Sequence, residues 1–74
     1  MKAKRNQIIK EVENVLNQVT ALSVRIDDYK ITDISEHVVE VATINCWGTI
    51  IEVRRGTPMQ MLMFAKCLYY NTIS

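Results

Sequence analysis

Thr57-Pro58-Met59-Gln60-Met61-Leu62-Met63-Phe64-Ala65-Lys66-Cys67-Leu68-Tyr69-Tyr70-Asn71-Thr72-Ile73 is the stretch that decides how this chain can fold. Its first four residues signal a helix start. Thr57 can cap the helix, and Gln60 can reach back to close a capping box. Pro58 suits the first turn, where a missing N–H leaves no intrahelical bond unmade. From Met59 onward the stretch has almost no water-loving side, since only Gln60, Lys66, Asn71 and Thr72 interrupt the apolar residues. A helix that is apolar all round must be buried all round. At about 100° per residue, Met61, Leu62, Ala65, Leu68 and Tyr69 share one side, which is expected to cover a sheet. Met59, Met63, Cys67 and Tyr70 form another side, with Phe64 beside them. That side can pack on a second helix of the same chain or on a second copy.

Upstream of Gly56 the period is two. Thr49 to Arg55 and His37 to Ile44 read as strands, joined by Asn45-Cys46-Trp47-Gly48 as a hairpin loop. Asp33 to Glu36 is a polar turn. Before it, Val24 and Ile26 alternate with polar neighbours, and Tyr29 and Ile31 continue in the other parity. The shift at Asp27-Asp28 predicts a bulge or bend. From Lys4 to Leu22 the period is helical. Ile8, Val12, Val15, Val19 and Leu22 recur at steps of four and three, and Ile9 and Leu16 widen the stripe. Valines are mediocre helix formers, so packing must supply most of this helix's stability. The expected fold is a single α+β domain over residues 1–74, in the order α-β-β-β-α. It has a three-stranded antiparallel sheet with both helices on one face.

Neighbouring strand residues point to opposite faces. On the second strand, Val39, Val41 and Thr43 share one face, and Val38, Glu40, Ala42 and Ile44 the other. On the third, alternation counted from the loop sets Trp47, Ile51 and Val53 against Ile50, Glu52 and Arg54. The face with Glu40 and Glu52 is the expected outer one. It still carries Val38, Ala42, Ile44 and Ile50, enough apolar surface for a contact.

The 74 residues allow one domain with a thin stability margin, yet 49% of them are hydrophobic. Pairing with another copy resolves that conflict by adding buried surface without adding chain, so a homodimer is expected. The net charge of +1 excludes strong global steering toward nucleic acid or anionic membrane. Charge is still unevenly spread. Lys2, Lys4, Arg5 and Lys10 make the start basic, and Asp27, Asp28, Asp33, Glu36 and Glu40 make the middle acidic. MKAKRNQ leads into a charged amphipathic segment rather than an apolar signal core, and no apolar run has the length of a membrane span. Cys46 and Cys67 have no CxxC partner. The expectation is a reduced, cytoplasmic setting in which both thiols act as small hydrophobes.

Chemistry is weakly signalled. The single histidine, His37, follows an acidic turn, but there is no second histidine for zinc and no glycine for a calcium loop. The two glycines do not make a phosphate loop. His37 and Cys46 stand at opposite ends of a strand, too far apart to exchange a proton. No catalytic residue, metal or cofactor is expected. The expected function is that of a small non-enzymatic protein-binding modulator, of inhibitor or adaptor type, acting as a homo-oligomer. Trp47, Met59, Met63 and Tyr70 are its candidate contact residues, because Trp, Tyr and Met are enriched at interfaces. The alternative is a nucleic-acid-binding regulator that uses Arg25, Arg54, Arg55 and the basic N-terminus.

Overall fold

The structure is a computed structural model that describes residues 2–74, with side chains from residue 4 onward. Two helices and three strands follow one another as α1 (Lys2–Leu22), β1 (Asp28–Asp33), β2 (Val39–Ile44), β3 (Ile50–Gly56) and α2 (Pro58–Ile73). The sheet is antiparallel with strand order β1-β2-β3, so β2 is central and both other strands are edges. The helices pack on one another and on one face of the sheet, in two layers.

The helical periods of the sequence become the core. Val12, Leu16, Val39, Val41, Met61, Leu62 and Ala65 form one buried cluster, drawn from α1, β2 and α2. Val19 and Ile26 are buried as well. Thr57 starts α2 as expected: its hydroxyl accepts from the Gln60 N–H at 3.1 Å, and the Gln60 side-chain Oε1 accepts from the Thr57 N–H at 2.9 Å. This reciprocal pair satisfies two donors that a helix start otherwise leaves to water.

Three expectations change. Residues 23–27 are not strand. The Ser23 hydroxyl accepts from the N–H groups of Arg25 and Ile26, at 3.1 and 3.0 Å, and this local turn displaces ladder pairing. Sheet contact begins where the Asp27 N–H donates to the Ile44 carbonyl at 2.8 Å. Leu22, the last member of the α1 stripe, is left exposed at the helix end.

The second change concerns β3. Its pairing with β2 slips by one residue between Thr43 and Ile44, so that Ile44 faces Ile50 but Thr43 faces Glu52. Ile51 is the extra residue of a β-bulge. Without it, pairing would run on from Ile44/Ile50 and set Val53 beside Val41, as plain alternation predicts. A one-residue slip exchanges the faces of everything beyond it. Val53 therefore pairs with Ala42 on the outer face, while Glu52 and Arg54 pair with Thr43 and Val41 on the helix side. The third change is that both cysteines are exposed, so neither thiol acts as core filler.

Candidate functional site

Helix α2 divides sharply. Met61, Leu62 and Ala65 are buried, and Leu68 and Tyr69 are half-buried beside them. The opposite side is not taken up by α1. Met59, Met63, Tyr70 and Ile73 are 51%, 61%, 62% and 51% exposed. Cys67 is exposed among them, and Lys66 is the one charge in the row. A surface helix ordinarily turns charged residues outward. This one turns out thioethers and a phenol ring. The Tyr70 ring meets Tyr69 edge-on, with centroids 5.8 Å apart, which steadies it without covering it.

Trp47, the fourth candidate, is not on this helix. It sits in the β2–β3 loop and is 84% exposed. The Asn45 side chain holds that loop by accepting from the N–H groups of Trp47 and Thr49, at 3.0 and 2.9 Å. Gly48 turns it at φ 80°, a conformation that a side chain disfavours. The loop joins the ends of β2 and β3 at the Ile44/Ile50 pair, so Trp47 sits at that end of the sheet. The structure thus groups Met59, Met63 and Tyr70 and sets Trp47 apart. Ile73 and Val53 are exposed apolar residues that sequence pattern alone did not single out as contacts. Counting the helical stripe to its end would have found Ile73, but no sequence signal marks the bulge that turns Val53 outward.

The three arginines of the nucleic-acid alternative are not brought onto one face. Arg54 points to the helix side, where its guanidinium lies 5.3 Å from the Phe64 ring centroid and its Nε donates to Glu52 at 2.9 Å. Arg55 points outward and donates to Glu40 at 2.7 Å. Arg25 lies in the link before β1, at the far end of the sheet from Arg55. The Lys2 side chain, part of the basic N-terminus, lies outside the described ones.

The acidic middle is dispersed in the same way. Arg5 of α1 reaches the β1–β2 turn. It donates to both Asp33 carboxylate oxygens, at 3.1 and 2.5 Å, and to the carbonyls of Ser35 and Glu36, at 2.7 and 2.8 Å. Bidentate pairing of this kind ties the start of α1 to the sheet. The hydrogen bond from Arg5 holds the Asp33 carboxyl below its usual range, against a smaller opposing effect of desolvation. Burial raises the Tyr29 phenol, with Glu13 and Asp28 adding to the effect, and its hydroxyl donates to Asn17 at 2.7 Å.

A cleft at the same end of the molecule is lined by Lys4, Arg5, His37, Pro58 and Met59. Within it, Arg5 is engaged by the turn, and the capping box takes up the Thr57 and Gln60 N–H groups at the α2 start. Among the described residues no three His, Cys, Asp or Glu side chains converge as a metal site, and no buried side-chain polar atom lacks a partner. No described helix is long and apolar enough to cross a membrane. No protein-family model, curated protein or solved structure matches the chain.

Proposed function

We propose that this chain is a small non-enzymatic protein-binding module, of inhibitor or adaptor type, which acts as a homo-oligomer in the cytoplasm and docks a partner protein on the outer side of α2. The observation that carries this reading is the run of Met59, Met63, Tyr70 and Ile73, each at least half exposed on one side of a well-capped helix. Burying such a row on a partner removes apolar surface from water at about 25 cal/mol per Å². Flexible thioethers beside a rigid phenol suit an adaptable contact with a fixed anchor. Lys66 in the middle of the row favours a partner that places a carboxylate there.

Cys67 allows a direct test. In a Cys46→Ser background it is the sole thiol, and a photo-crosslinker attached to it reports what covers the helix. In extract of the source cells one discrete adduct with a different protein is expected. Met63→Glu should abolish that adduct without changing the circular dichroism spectrum. Equal labelling of many proteins, or an adduct indifferent to Met63→Glu, refutes docking at this face.

A further inference from the structure

We propose that two copies of this chain pair face to face through the outer surface of β2 and β3, about a two-fold axis that runs parallel to the strands between them. This rests on the homo-oligomer reading above and assigns its surface.

The bulge at Ile51 is the starting point. It leaves β3 with its charged residues, Glu52 and Arg54, toward the helices and its apolar Val53 away from them. A strand that points its grease outward is inverted for a two-layer domain, unless something covers the outside. Val53 and Ile50 are 48% and 57% exposed. Cross-strand partners share a face, so Ile44 with Ile50 and Ala42 with Val53 make an apolar block whose exposed area comes from Ile44, Ile50 and Val53, Ala42 being only 7% exposed. The Glu40–Arg55 pair closes one end of the block, and the loop carrying Trp47 adjoins the other.

This pattern is complementary to itself. Rotation about an axis midway between β2 and β3 lays β2 on β3 of the second copy. Ile44 then meets the partner's Ile50, and Ala42 meets the partner's Val53. Glu40 meets the partner's Arg55, and Arg55 the partner's Glu40. The four charges alternate around a square, so the salt bridge already present in each copy is extended across the contact. The strands stay nearly aligned, as in ordinary sheet-on-sheet packing. Centring the axis on β2 instead would set Glu40 against its own copy, so the charges select the register.

The exposed side of α2 lacks this property. Met59, Met63, Lys66, Tyr70 and Ile73 succeed one another at steps of four, three, four and three, the spacing of a helix seam. Parallel or antiparallel self-pairing centred on that seam brings Lys66 against Lys66. The sheet is therefore the surface for a second copy, and α2 stays free for a different protein.

Sedimentation equilibrium tests the assignment, with circular dichroism confirming that each variant is folded. The wild-type chain is expected to form dimers. Val53→Asp should weaken association at least about tenfold, while Met63→Glu leaves it unchanged. Glu40→Arg alone and Arg55→Glu alone should each weaken it, because like charges then face across the axis. Mixing these two variants should restore a dimer, since Arg at position 40 of one copy meets Glu at position 55 of the other. Dimers that survive Val53→Asp, dissociate with Met63→Glu, or are not rescued by mixing overturn this assignment but leave self-association standing. A wild-type chain that stays single at every concentration overturns the homo-oligomer reading itself.

Discussion

Replacing Gly56 by alanine should have an effect whose size depends on what stands at position 60. A Cβ at Gly56 would lie 2.5 Å from the Gln60 Oε1 and 3.2 Å from its Cβ. The crowded oxygen is the one that accepts from the Thr57 N–H. Gly56→Ala therefore pushes the Gln60 side chain out of the capping box. The lost bond is solvent-exposed, so the expected cost is about 0.5–1 kcal/mol. With Gln60→Gly already in place the oxygen and the Cβ are both gone, and the remaining near contact, the Met61 methyl at 3.2 Å, ends a flexible side chain that can yield. The φ of Gly56 is not positive, so alanine is permitted there. The surviving effect is the reduced freedom of the unfolded chain, a stabilisation of about 0.4–1 kcal/mol. That gain is common to both backgrounds, so the two substitutions should couple by the lost bond alone, about 0.5–1 kcal/mol. In a domain this small, that is a difference of roughly 2–8 °C in Tm. Urea titrations tracked by far-UV circular dichroism at low micromolar concentration measure all four corners of the cycle. If Gly56→Ala has the same effect with glutamine or glycine at position 60, the Gln60 side chain does not occupy the cap, and α2 begins in some other way.

The core and the clamp give two further expected outcomes. Leu16 is fully buried, and Leu16→Ala should cost about 2–5 kcal/mol, a large share of the roughly 4–11 kcal/mol expected for a chain of this length. Denaturant midpoints measure this, and a loss below about 1 kcal/mol would place Leu16 outside the tight core. Asp33 has a folded pKa below its unfolded value of about 3.9, so its stabilising effect is present above that pH and is lost as pH falls through the folded value. The stability gap between wild type and Arg5→Gln should be level from neutral pH to about pH 5 and shrink in stronger acid. A gap independent of pH would show that the Arg5–Asp33 contact adds nothing in solution.

The element order and the start of α2 were legible because each rests on local physics. The four-three stripe of α1, the alternation around Val39 and Val41, and the Thr57-Pro58-Met59-Gln60 start all act within a few residues of themselves. The division of α2 was half legible. Helical spacing separates Met61, Leu62 and Ala65 from Met59, Met63 and Tyr70, but both groups are apolar. Only the placement of α1 and the sheet shows which group is covered. The link at residues 23–27 was misread because Val24 and Ile26 alternate like a strand. The Ser23 hydroxyl competes for the same backbone donors and wins locally.

Taken alone, the chain's residues determined two helices flanking three strands, the cap that launches the second helix, and more apolar residues than one small core accommodates. Tertiary structure alone decided which way β3 faces. Ile50-Ile51 reads the same whether or not one of the two is extra, and the choice lies in the pairing with Thr43 and Ile44 across the hairpin. Because a strand repeats every two residues, that single unpaired position turns Val53 from the helix side to the open face. It turns Arg54 the other way, onto Phe64.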